Sequence, residues 1–163
     1  METDKILILI SSDSEKISIS SKVCQKSTLV KGMIEDFPNE TQFPMYEIKG
    51  RVLKKIKDYL EYYEDKEPKQ IEKPLRSMNF RECVDEWDYN YINVDKELIF
   101  EIILGANFMD IKPLLELALA KIASIIKGKS TEDIRKILDI TNDFSPEEEQ
   151  KIIEENKWCE ENL

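Results

Sequence analysis

A chain of 163 residues with a formal net charge of −10 and no histidine is one domain, or one domain plus an extension, and can bury a real core. Its acidity opposes phosphate backbones and anionic membranes, and the missing imidazole removes Ser-His-Asp and Cys-His catalysis as well as histidine metal sites. Three cysteines, Cys24, Cys83 and Cys159, lie far apart without a CxxC pair, which argues against a disulfide framework or a zinc site and for reduced intracellular thiols.

The first element is a run of apolar and β-branched residues from Ile6 to Ile10, too short for a signal sequence or a membrane span and closed by Ser11-Ser12-Asp13-Ser14. It predicts a buried strand. Lys16-Ile17-Ser18-Ile19-Ser20 alternates strictly, as a half-buried strand does, so a hairpin follows. Leu29, Val30, Met33, Ile34 and Phe37 fall at helical spacing, and Pro38 ends that helix. A third strand is expected at residues 45–48. Val52, Leu53, Ile56, Tyr59, Leu60 and Tyr63 then recur at three- and four-residue steps, the stripe of an amphipathic helix.

Residues 64–84 are rich in Lys, Glu and Pro and lack a sustained period, so they are expected to form a mobile loop. Trp87, Tyr89, Tyr91 and Ile92 re-anchor the chain. Asp95 is a candidate N-cap for a helix reaching Phe108. Asp110 is a second candidate, for a helix with Pro113 in its first turn and Gly128 beyond its end. Ser130 caps the next helix, with Asp133 three positions on. Ser145-Pro146-Glu147-Glu148 carries a cap, a proline at the first helical position and a capping-box glutamate. Strands first and helices later argue for an α+β fold.

The helices between Asp95 and Ile126 are apolar nearly all the way round, and such a helix needs a second neighbour. Leu98, Ile102, Leu115 and Leu119 are assigned to the core. Ile99, Phe100, Ile103, Ile122 and Ile126 are assigned to a groove for a partner. Glu147, Glu148 and Glu149 are expected to favour the positive end of a helix dipole rather than to hold a metal. The three cysteines lack a cationic neighbour in sequence and are expected to be inert. No cofactor and no catalytic residue is assigned.

From Asp95 to Glu161 the chain resembles the Skp family, the adaptor subunits of SCF ubiquitin ligases. The resemblance is carried by Trp87-Asp88, Val94-Asp95, Ala106-Asn107-Phe108-Met109-Asp110-Ile111-Lys112, Ile125-Ile126-Lys127-Gly128-Lys129, Ile134-Arg135-Lys136, Asn142-Asp143-Phe144 and Glu155-Asn156-Lys157-Trp158-Cys159. It implies a BTB/POZ domain over residues 1–127 and a C-terminal helical extension over 128–163. It also implies two partners. A cullin would dock at Asn107 and Phe108. An F-box protein would dock at Ile99, Phe100, Ile103, Ile122, Ile126, Ile134 and Trp158. A non-catalytic adaptor of the cytoplasm and nucleus is therefore expected, with no nucleic-acid or membrane partner and with a possible homodimer when free. The rival is a self-associating BTB-type domain.

The chain departs from the family in places. Phe108 replaces the usual tyrosine and so lacks a hydroxyl donor. Thr131 stands where many relatives carry proline. The connector from Phe37 to Met45 is short, and the 64–84 segment is mixed in charge rather than strongly acidic.

Overall fold

The computed structural model describes residues 4–160. After Lys127 the chain divides into two compact units, residues 1–127 and 128–163. In the first, β1 (Ile6–Ser11) pairs antiparallel with β2 (Lys16–Ser20), Leu7 opposite Ile19 and Leu9 opposite Ile17. Side chains alternate between the two faces of a strand, so these four residues enter the core. Ile6 is left exposed on the other face, with Ile8 and Ile10 half-buried beside it.

The third strand, β3 (Gln42–Met45), runs parallel to β1 on its free side, giving the order β2-β1-β3. It lies earlier than the expected 45–48. Pro44 has no backbone N–H to give, but β3 is at the sheet edge, where a missing donor leaves no interior ladder bond unmade. Tyr46, just past the strand, is exposed, while Ile48 returns to the core.

Helices cover the inner face of the sheet. A short α1 (Ser21–Cys24) leads to α2 (Thr28–Asp36), which stops one residue short of Phe37 and Pro38. The longer α3 (Gly50–Tyr62) buries Val52, Leu53, Ile56, Tyr59 and Leu60 on one stripe and packs against β2 and α5 (Lys96–Phe108). A short α4 (Glu86–Ile92) precedes α5, and α6 (Lys112–Ile126) folds back along it. All three strands lie within the first 45 residues, α1 and α2 fall between β2 and β3, and only helices follow α3, so the architecture is α+β.

The caps follow the local chemistry. The Asp95 carboxylate accepts from the Leu98 N–H at 2.9 Å, as expected of an N-cap. Asp110 does not cap α6. It takes a left-handed φ of 49° in the turn between α5 and α6, and Ile111 occupies the cap position without a side-chain bond. The Asp110 backbone carbonyl instead faces the start of α2, accepting from the Thr28 hydroxyl at 3.3 Å. Gly128, with φ 71°, supplies the left-handed residue expected beyond α6.

The 64–84 segment is irregular apart from one 3-10 turn at Phe80–Glu82. Its composition is polar, yet Ile71, Phe80, Cys83 and Val84 are all buried in the core. Isolated apolar residues thus tether a segment whose average character is polar. Cys24 is also sealed away, and burial, with a smaller contribution from Asp4, pushes its thiol up to about 12. It is inert, as expected. The Cys159 side chain lies outside the described residues.

An aromatic corner joins α3 to α4. Trp87 stacks on Tyr62 with ring centroids 3.6 Å apart, and the Tyr91 hydroxyl donates to the Lys55 carbonyl at 2.7 Å. Inside this corner Asp88 is 5% exposed and accepts from the Tyr63 hydroxyl at 2.7 Å. Burial raises its carboxyl above the ordinary range, against the lowering effect of the Tyr63 bond. The folded chain therefore holds this proton more tightly than the unfolded chain does. This contribution to stability should fall as pH rises from the usual carboxylate range through the raised folded-state value. Asp88→Asn keeps an acceptor for Tyr63 and removes the charge. Urea midpoints measured from the usual carboxylate range, about pH 4, up to pH 8 should change less in this variant than in the parent, and an unchanged difference would refute the assignment.

The second unit contains α7 (Thr131–Leu138), α8 (Pro146–Glu155) and α9 (Lys157–Glu160). Ser130 accepts from the Asp133 N–H at 3.2 Å, and Ser145 with Glu148 forms the expected capping box. Glu148 is held below the usual carboxyl range by the Ser145 backbone N–H and hydroxyl. Glu149 is not merely solvated. It accepts from Arg135 at 3.1 Å and from Asn142 at 3.2 Å, tying α7 to α8.

Candidate partner-binding surfaces

In the first unit the candidate residues ride on the α5–α6 hairpin. At 3.6 residues per turn, Ile99, Ile102 and Ala106 share the side of α5 that faces the core. Ile99 is 1% exposed. It was expected in a partner groove, but in the free chain it is a core residue and offers no surface. Phe100 and Ile103 are half-buried, and Asn107 is exposed one turn beyond Ile103. Phe108, half-buried at the end of the helix, packs partly against the core.

The orientation of α5 is set by charge and by packing. The Glu101 carboxylate receives Arg51 Nε at 2.8 Å and Lys49 Nζ at 2.8 Å, both from the start of α3. These bonds, Arg51 first, hold Glu101 below the ordinary carboxylate range. Gly105 faces α3 so closely that a Cβ built on it would lie 2.8 Å from Ile56 Cδ1. The hairpin turn is pinned by the Ser27 hydroxyl, which donates to the Met109 carbonyl at 2.6 Å in a buried position.

With α5 so held, Leu104 is turned outward and is 70% exposed. It lies three and four residues before Asn107 and Phe108, which makes the three neighbours on the helix surface. Leu104 was not among the residues expected at a partner surface, although its place across the helix from Ile102 and Ala106 was the available signal. On α6, Leu114, Leu117 and Ala118 are buried and Ile122 and Ile126 are half-buried. Leu119, assigned to the core from sequence, is 48% exposed. It lies on the stripe of Ile122 and Ile126, away from the residues that face α5.

The second unit differs in kind. No residue from 128 to 158 is buried. Ile134 is half-buried, while Ile140, Phe144, Ile152, Ile153 and Trp158 are exposed, Trp158 at 64%. Helices of this length are marginal on their own in water, and most helical stability comes from packing an apolar face. Of these residues, sequence reasoning singled out only Ile134 and Trp158. The other four were legible as apolar residues in short helices and their connectors, with too few neighbours to cover them. Among the described residues there is no cluster of acidic or cysteine side chains able to hold a metal ion, and no helix long and apolar enough to cross a membrane.

Residues 5–65 match the pattern of the Skp1 family tetramerisation domain, and residues 112–159 match that of the Skp1 family dimerisation domain. An S-phase kinase-associated protein 1 homolog of Tetrahymena thermophila is 47% identical over 154 residues, covering 94% of this chain and 93% of the relative. The chain belongs to the Skp1 family. The E3 ubiquitin ligase complex SCF subunit sconC of Arthroderma benhamiae is 41% identical over 160 residues, 98% of this chain and 97% of its own. Suppressor of kinetochore protein 1 of Schizosaccharomyces pombe is 39% identical over 155 residues, 93% of this chain and 96% of its own. The three-stranded sheet and its helices form a BTB/POZ-like domain.

Proposed function

We propose that this Skp1-family chain is a non-catalytic adaptor that joins F-box substrate receptors to a cullin scaffold in an SCF-type ubiquitin ligase. The observation that carries the reading is the second unit: 31 consecutive residues, from 128 to 158, without a buried side chain and with five large apolar ones exposed. Such a surface calls for a partner. The partner follows from the family, since relatives covering nearly the whole chain are named as subunits of an SCF complex.

In this reading Phe100, Ile103, Ile122 and Ile126 receive the F-box from the first unit, with Ile134 and Trp158 receiving it from the second. Asn107 and Phe108 meet the cullin, and Leu104 joins them. The adaptor works by holding its partners in one frame, which removes the entropic cost of their meeting. The net charge of −10 steers basic partner segments toward it.

The test is reconstitution. The purified chain, an F-box fragment and a cullin N-terminal fragment should co-elute as a 1:1:1 complex by size exclusion with light scattering. Retention of neither fragment would overturn the proposal. The same measurement on the chain alone reports self-association, which the exposed apolar residues favour and which added F-box fragment should reverse.

A further inference from the structure

The apolar surfaces assigned to partners leave one feature unused. Residues 71–75 cross the outer side of α6 and enclose a cleft of about 450 Å³ against Leu119, Ala120 and Ala123. Ile71 anchors this strap in the core, and Leu75 packs partly against it. Two polar ties hold the rest. Lys73 Nζ meets Glu116 Oε1 at 2.6 Å, and Lys127 Nζ donates to the Leu75 carbonyl at 2.6 Å.

The closure is loose in both respects that matter. The cleft of about 450 Å³ is open to solvent, and Leu119 and Ala123 remain exposed under the strap, so the strap is not packed tightly onto them. The ion pair is solvent-exposed on both sides, and exposed pairs contribute little. Beneath the strap, small Ala120 and Ala123 beside Leu119 make a face that a helix can approach closely. That face continues into the stripe of Ile122 and Ile126 assigned to the receptor.

We propose that residues 71–75 form a displaceable strap over α6, competing with the receptor for the face of Leu119, Ala120 and Ala123 and so setting receptor affinity. The strap overhangs this partly exposed face in the free chain and swings away when a receptor helix packs there. This rests on the F-box reading above, and it adds an internal competitor to that reading.

Charge reversal tests it. Lys73→Glu and Glu116→Lys each replace attraction by repulsion, and the double variant restores a pair of opposite sign. In the free chain, each single variant should speed amide hydrogen exchange at residues 71–75 at least threefold. It should also tighten the dissociation constant for an F-box fragment about threefold or more. The double variant should return both quantities toward the parent values. Faster exchange with unchanged or weaker binding would overturn the competition, as would unchanged exchange in both single variants. If the parent and every variant bind no F-box fragment, the receptor reading fails first and the competition falls with it. The exchange data then still report how the strap is held.

Discussion

Replacing Trp158 by alanine is expected to weaken binding of an F-box receptor by about 2 kcal/mol or more, roughly thirtyfold, with little change in the fold. The two halves of this expectation have different sources. Trp158 sits in α9 and is 64% exposed, so its side chain contributes little to any interior of the free chain. Far-UV circular dichroism and the urea midpoint should therefore stay where they are. At an interface the same side chain provides a large, rigid area and a single N–H donor, which is why tryptophan dominates alanine scans. Isothermal titration against an F-box fragment is the direct measurement. An unaltered dissociation constant would remove Trp158 from the surface.

The second large effect concerns the end of α5. Asn107→Ala combined with Phe108→Lys should abolish binding of a cullin N-terminal fragment while sparing the F-box fragment. Asn107 is exposed, so its loss removes a polar group available for contact. Phe108 is half-buried, so lysine there removes apolar area and places an ammonium on the same spot. Because Phe108 also touches the core, the double variant needs a companion. Leu104→Glu changes a residue that is 70% exposed and lies one turn from Phe108, so it should leave the thermal midpoint unmoved. Its cullin affinity should drop at least tenfold. Loss of both partners in the first variant would mean unfolding, and full cullin binding by Leu104→Glu would exclude this end of α5 from the contact.

Local chemistry made much of the fold legible. Caps at Asp95, Ser130 and Ser145 depend on residues three positions apart, and each forms as read. The stripe of α3 is also local, because polar residues separate its apolar ones and leave a single solution. What failed was long-range. The pairing of β3 depends on β1, some thirty residues away, and nothing near Gln42 announces it. Asp110 has the spacing of a cap, but the path from α5 into α6 requires a left-handed residue there.

The candidate surfaces show the same division. On α5 nearly every side is apolar, so periodicity alone cannot say whether Ile99 or Phe100 faces inward. Gly105 against Ile56, and Glu101 against Lys49 and Arg51, decide it; Ile56 and Arg51 lie on α3 and Lys49 is its N-cap residue. The same ambiguity on α6 put Leu119 inside. In the 64–84 segment, averaging over composition concealed the few residues that matter, Ile71, Phe80, Cys83 and Val84.

On the adaptor proposal, the 31 residues from 128 to 158, none of them buried, gain an interior when a receptor packs against them. Association should then carry the calorimetric mark of folding coupled to binding, a heat-capacity decrease larger than rigid docking of the same footprint would give. Until that happens, short helices with uncovered side chains open readily to proteases. The supply of receptors would in this way govern how long each adaptor molecule survives.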